Sequence, residues 1–321
     1  MMTTTNQNVI DPVPVELLEM ELTPDRLLRD TNKGGNKIYI IDAFSAPNVM
    51  REVGRLREIA FRAAGGGTGK DCDIDEFDTM EPPCRQLVVW DPEAREIIGG
   101  YRFIPGNEIK MRPDGMPRIA TSHMFSFSER FLKDYLPHTI ELGRSFVRLE
   151  YQTTRVGVKA LYALDNLWDG LGALTVIYPD MRYLFGKVTM YPSYNADCRN
   201  MILYFLTKHF PDPDRLVWPM TPLTTHMDNE AMRKLFIHDT FKDDYKILNK
   251  AIRDHGYNIP PLVNAYMSLS PSMRMFGTAI NDEFGNVEES GIFFVIDEIF
   301  EEKKGRHIGT FIPINPSPED K

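Results

Sequence analysis

The chain has 321 residues, enough for one large or two ordinary domains and for a sizeable hydrophobic core. Hydrophobic residues at 42% and charged residues at 26% are those of a globular protein and exclude a wholly disordered or fibrous chain. Lys plus Arg total 37 against 46 Asp plus Glu, a formal charge of −9; nothing global draws it to phosphate backbones or anionic lipid, and no nucleic-acid partner is expected.

The N-terminal stretch joins a polar head, MMTTTNQN, to Pro12, Pro14 and Pro24 and ends in the loop signal Asn32-Lys33-Gly34-Gly35. Residues 1–35 are therefore expected as an arm outside the core. Residues 37–41 read as a short strand, and Val49, Val53, Leu56 and Ala63 recur at helical spacing within 45–64. Gly65-Gly66-Gly67 should end that helix. After a carboxylate-rich loop, 86–90 and 96–104 read as two strands of a hairpin about Asp91-Pro92. Residues 139–148, TIELGRSFVR, look like a central strand. The clearest helix is 158–177, where Leu161, Leu164, Trp168, Leu171 and Leu174 form one stripe and Pro179 marks the end. Residues 183–190 are the next strand and 195–210 the next helix. Beyond Pro211 come a Pro-rich connection, a charged helix around 229–254, and the pieces 262–269, 273–280 and 291–296.

Helices set between strands, with a hairpin in mid-chain, argue for an α/β (α+β) fold with a mixed, mainly antiparallel sheet rather than a doubly wound one. The division expected is an arm (1–35), a core (36–210) and a helical C-terminal extension packed on it (211–321). No run of roughly 18 apolar residues and no signal core occurs, so a cytoplasmic protein is expected, with peripheral contact at the inner membrane face as an allowed addition. Cys72, Cys84 and Cys198 are odd in number and lack metal-ligand spacing, which fits a reducing compartment.

Three familiar motifs fail. Gly65 to Lys70 resembles a phosphate loop, but Ala64 stands where the first glycine belongs and Asp71 where Ser or Thr should meet magnesium. Asp71, Asp73 and Asp75 imitate an EF-hand, yet Glu76 replaces its glycine and Pro82 its last Glu. The seven histidines are scattered without zinc spacing, so no metal is expected.

Four pieces remain to be taken together: Arg57-x-x-x-Phe61, Asp75-x-x-Asp78, Gly100-Tyr101-Arg102 and Glu141-x-x-Arg144. Their order resembles the polar skeleton of the acyl-homoserine lactone synthases, in the N-acyltransferase superfamily of GNAT fold. The words QLVVWD, IIGGYRF, ELGRSFV, LWDGLGAL, YLFGKVTMYPSYN, IPPLVNAYMSLS and GTAINDEFG resemble more closely the ornithine-lipid and glycine-lipid N-acyltransferases, often labelled haemolysin-like. The likeness runs over residues 37–296. It implies transfer of a fatty or 3-hydroxyfatty acyl chain from acyl carrier protein to the α-amine of a small amino acid of glycine or ornithine type, in aminolipid biosynthesis. No tightly bound cofactor is implied; the donor is a phosphopantetheine thioester, with acyl-coenzyme A the less favoured source. Homoserine lactone synthesis is the alternative within the enzyme class, and a non-catalytic acyl-lipid binding protein the alternative outside it.

N-acylation needs an uncharged amine, a base for its proton and donors for the tetrahedral oxyanion. Glu141, in an apolar strand, is the candidate base, directly or through water, its pKa raised by burial; the plainer alternative is an ion pair with Arg144. Three residues apart, the two lie on opposite faces of a regular strand, and a bulge near Gly143 would bring them closer. The resemblance implies such an irregularity where the strand parts from its neighbour to admit the thioester arm. Ser145 is a further catalytic candidate, at the leaving thiol or the substrate. Asp75 and Asp78 suit a substrate amine or the orientation of arginines, the alternative being a solvated acidic loop. Arg57 and Arg102, with Phe61, either bind the substrate carboxylate or lock those aspartates, the second being favoured because buried carboxylates need countercharge. The pyrophosphate loop that the resemblance implies between strand and long helix is incomplete in QTTRVGVK, so Arg155, Gly157 and Lys159 are the candidates for the donor's phosphate. A docking patch for the acidic carrier is expected from Arg148, Arg155, Lys159, Arg182 and Lys187.

Overall fold

The computed structural model describes residues 6–152 and 158–313, side chains of 158–161 excepted. In chain order the main elements are α1 (Val15–Glu21), β1 (Leu27–Asp30), β2 (Lys37–Ile41), α2 (Pro47–Ala64), α3 (Glu76–Thr79), β3 (Arg85–Asp91), β4 (Glu96–Pro105), β5 (Phe125–Phe127), β6 (Thr139–Val147), α4 (Val158–Ile177), β7 (Tyr183–Met190), α5 (Ala196–His209), β8 (Val217–Pro219), α6 (Asn229–Leu235), α7 (Phe241–Asp254), α8 (Pro261–Met267), β9 (Arg274–Asn281), β10 (Val287–Val295) and α9 (Glu301–His307). Among the described residues eight strands form one sheet in the order β1-β2-β3-β4-β6-β7-β10-β9, while β5 and β8 make a separate ribbon. Every pair in the large sheet is antiparallel except β6 with β7. This is the mixed, mainly antiparallel sheet expected.

Local chemistry accounts for the elements. Helix α2 starts on Pro47, whose missing N–H costs nothing at a first turn, and stops where Gly65 takes φ +97°, a left-handed conformation that a side chain would strain. Helix α5 is capped by Asn195, which accepts from the Cys198 N–H at 3.0 Å. Alternation along β7 sends Leu184 and Val188 to one face of the sheet and Phe185 to the other. On the first face they meet α4, α5, α7 and α8. On the second face lie α1 and α2 at one end and an aromatic cluster of Phe125, Phe127, Phe131, Phe185, Phe276 and Phe293 at the other. In mid-sheet β4 passes close to its neighbours: a Cβ on Gly99 would lie 2.5 Å from the Phe146 carbonyl, and one on Gly100 2.4 Å from that of Leu87.

Two parts depart from expectation. Residues 15–30 are not an arm: Leu18, Leu22 and Leu28 are buried, and β1 pairs with β2 across the 35/36 boundary. Val15, Leu18 and Leu22 stand at helical spacing, a short period between Pro14 and Pro24 that the proline-rich setting obscures. The segment after residue 210 carries the helices α6, α7, α8 and α9, and it also returns two strands to the sheet, β10 pairing with the whole length of β7. The charged region 229–254 is two helices, broken between Leu235 and Phe241. Cys72, Cys84 and Cys198 are unpaired, and no described helix is long and apolar enough to cross a membrane.

Candidate active site

Strands β6 and β7 are paired only over Thr139↔Tyr183, Ile140↔Leu184 and Glu141↔Phe185. Both continue, but beyond Glu141 they part. On its other side β6 holds to β4, with Arg102 opposite Gly143 and Gly100 opposite Phe146. Between those pairs β6 advances three residues and β4 two, so Arg144 and Ser145 form a bulge, and Arg144 takes φ +51°. The bulge foreseen near Gly143 is present one residue further on. It turns Arg144 onto the face that carries Glu141, to which a regular pleat would have opposed it.

The gap opens into a cavity of about 710 Å³. One side is apolar, with Leu167, Trp168 and Leu171 of α4, Tyr266 of α8, and Ile292 and Phe294 of β10. Toward the other face of the sheet the lining becomes charged: Arg102, Glu141, Arg144, Lys187 and Glu289, with Ser145 and Phe61 beside them. Phe61 packs edge-on to Phe284 at 5.0 Å between ring centres, and the Arg144 guanidinium lies over the same Phe284 ring at 4.3 Å.

Glu141 is 1% exposed. Burial pushes its carboxyl above the ordinary range, opposed by the charges of Arg102 and Lys187 and by the Thr121 N–H, which donates to Oε1 at 3.3 Å. No described cation lies within ion-pair distance of it; the alternative of a Glu141–Arg144 pair is not what is found. Arg144 instead places Nε 3.0 Å from Asp73 and Nη2 3.4 Å from Asp75. The Asp73 contact is close but off hydrogen-bond alignment, leaving both Asp73 oxygens and Arg144 Nε without a hydrogen-bond partner.

The acidic loop is an ordered, buried network rather than a solvated one. Asp75 caps α3, accepting from the N–H groups of Phe77 and Asp78, while the Asp78 carboxylate receives the Asp75 N–H at 3.1 Å. Arg102 reaches Asp75 at 2.5 Å and Asp78 at 3.3 Å. Arg57, with no exposed surface, reaches Asp78 at 3.4 Å and donates to Gln86 Oε1. Burial would raise the Asp75 carboxyl, but Arg102 and Arg144 together hold it below the usual carboxylate range. For Asp73, burial dominates and raises the carboxyl despite Arg144 and Arg57.

Of the candidates read in the sequence, Arg102, Glu141, Arg144, Ser145 and Phe61 line one cavity, and Arg57, Asp75 and Asp78 stand behind it as support. Arg155 and Gly157 lie outside the described residues, as does the side chain of Lys159. Among the docking candidates, Lys187 faces inward and binds Glu289 at 2.6 Å. Arg182 precedes the paired end of β7, opposite the end where the strands part. Arg148 sits near the parted end but is engaged by Glu96 at 2.6 Å and Glu150 at 3.0 Å. Two residues escaped the sequence reading. Asp73 had only its crowding with other acids as a signal, and Glu289 meets Lys187 through a strand pairing about a hundred residues away.

A family model described as an acetyltransferase (GNAT) domain matches residues 56–161, the segment that brings the bulged strand to the acidic loop. The chain is 66% identical over 310 residues to a glycine N(alpha)-acyltransferase of Bacteroides thetaiotaomicron, covering 97% of this chain and 92% of that one. It belongs to the same family. A protein of the same name from Phocaeicola vulgatus is 62% identical over 97% of this chain and 95% of its own. This member of the family is therefore an enzyme, an acyltransferase. Solved structures similar to it include the acyl-homoserine lactone synthase LasI (11% identity, TM-score 0.42, 88% of this chain and all of that one) and FeeM, an N-acyl amino acid synthase from uncultured soil microbes (10%, 0.39, 82% and 93%).

Proposed function

We propose that the protein transfers a long fatty or 3-hydroxyfatty acyl chain from a carrier-protein thioester to the α-amine of glycine, making an N-acylated amino acid that a second acylation would turn into an aminolipid. The observation that carries this is the cavity running through the gap between β6 and β7, apolar on the α4 side and charged at Glu141. Glycine is taken as acceptor from the name borne by relatives at 66% and 62% identity.

In this reading the acyl chain lies against α4 and α8 and its thioester carbonyl sits in the gap. Backbone N–H groups of β6 past Glu141 have lost β7 as a partner and are available to the developing oxyanion. The raised Glu141 carboxylate takes the amine proton, the nitrogen attacks the carbonyl carbon to form the C–N bond, and the C–S bond breaks as the tetrahedral intermediate collapses. The proton then passes from Glu141 to the departing thiolate, with Ser145 beside it. Carrier protein is preferred to coenzyme A as donor because the phosphate-loop motif is incomplete in the sequence.

The test is to offer purified protein 3-hydroxyacyl carrier protein or acyl-coenzyme A with glycine, serine, ornithine or S-adenosylmethionine, and to identify products by mass spectrometry. N-acylglycine, absent with Glu141→Gln, is expected. No N-acylated product from either donor would reject the reading, and lipid retention unchanged by Glu141→Gln would point to a passive binder.

A further inference from the structure

Around the cavity three arginines, Arg57, Arg102 and Arg144, are matched by three aspartates. Arg57 is committed to Asp78, Arg102 to Asp75 and Asp78, and Arg144 to Asp73 and Asp75. The groups expected to meet a substrate carboxylate are thus already occupied by carboxylates of the protein. Lys187 is different. Its side chain is 10% exposed and lines the cavity. A single described acid holds it, Glu289 at 2.6 Å. Glu289 is itself held in place, for Thr189 donates to Oε1 at 3.3 Å and Asn281 to Oε2 at 3.4 Å. An ammonium group has three donors, so two remain to Lys187 after Glu289. A buried ion pair of this kind at best breaks even against apolar packing, so stability does not account for placing a lysine here.

Its position is specific. Lys187 follows Phe185, the residue paired with Glu141, by two on the same strand and so faces the same side of the sheet, about 7 Å along it. A base and a cation on one face of the gap, both in the charged part of the cavity, suit a small molecule whose amine and carboxylate are one carbon apart.

We propose that Lys187, anchored by Glu289, receives the α-carboxylate of the amino-acid acceptor and so makes the enzyme select amines that carry a free carboxylate. This rests on amino-acid acylation at Glu141. The acceptor enters with its carboxylate on the free Lys187 donors and its amine toward Glu141, and Glu289 keeps the lysine fixed in charge and direction.

The test compares kcat/KM for glycine and for glycinamide, which keeps the amine and size but lacks the anion, at saturating acyl donor. The wild type should prefer glycine. In Lys187→Met the glycine value should fall about 10- to 100-fold more than the glycinamide value, through KM and with the donor KM unchanged, as loss of a charged hydrogen bond predicts; any fall common to both acceptors is the loss of the Lys187 charge from Glu141. The double variant Lys187→Met/Glu289→Gln leaves no unpaired buried carboxylate and should behave alike, which guards against a misfolded single variant. Equal use of glycine and glycinamide by the wild type overturns the inference without any variant. Equal losses for both acceptors in the variants also overturn it, since they would put Lys187 in service of Glu141 alone. A wild type that acylates neither amine rejects the acylation reading itself.

Discussion

Glu141 holds a charge where charge is costly, and in the proposed reaction that cost is what suits it to be the base. Its carboxyl is raised by burial, so above its folded pKa the ionised form destabilises the native state, and the penalty fades as pH falls through that value and the folded protein takes up the proton. Glu141→Gln should therefore lose turnover by about 10²- to 10⁴-fold while raising the urea midpoint at neutral pH. The gain in urea midpoint should shrink on acidification. Asp75 has the opposite sign. Its carboxyl is held low, so its stabilisation is complete above the unfolded pKa of about 3.9 and is lost as pH falls toward the folded value; Asp75→Asn should remove that acid-labile part. Arg57 stands behind Asp75, acting through Asp78 and Gln86. Arg57→Met removes one of the two arginines that face the buried Asp78, leaving Arg102 at 3.3 Å, and a loss of about 1–3 kcal/mol in urea unfolding is expected.

At the scale of elements, the proposed reaction depends on two strands that stop pairing beyond Glu141. Gly186 lies just beyond the last β6–β7 pair, and a Cβ there would stand 3.0 Å from the Leu142 carbonyl and 3.5 Å from its Cβ. Gly186→Val should narrow the passage and displace the thioester. The expected outcome is a fall of about 10²-fold in kcat/KM for the acyl donor with β7 still paired to β10, checked by steady-state kinetics beside circular dichroism. Strands with clean alternation and helices with a clear stripe were legible in the sequence: the long helix α4 and strand β7 fall within the limits their periodicity sets. The bulge could be anticipated because Glu141 and Arg144 are three apart. Other features could not. Leu18, Leu22 and Leu28 become core only because α2 and β2 cover them, and Lys187, charged and alone in its strand, reads as surface until β10 supplies Glu289. Pairings distant in sequence leave no periodic trace.

At the scale of the whole molecule, the C-terminal part bears directly on whether the catalytic half can stand alone. Strand β10 is bonded to β7 from Glu288↔Met190 to Val295↔Tyr183. It supplies Ile292 and Phe294 to one face of the sheet and Phe293 to the other, and β9 adds Phe276. Each such side chain is worth about 1.5–3 kcal/mol when fully buried; removing four, with Tyr266 and the helices α7 and α8, approaches the 5–15 kcal/mol that typically separates folded from unfolded. It would also strip β7 to an open edge beside the cavity. A chain of residues 1–210 is thus expected to show no cooperative thermal transition, whereas the full chain should unfold once. Trp90 in β3, Trp168 in α4 and Trp218 in β8 report from three regions, so coincident melting by fluorescence and far-ultraviolet circular dichroism checks the second half of that expectation. A cooperative melt of the shortened chain would make the C-terminal part a separable domain, and the cavity wall at Ile292 and Phe294 an interface between domains.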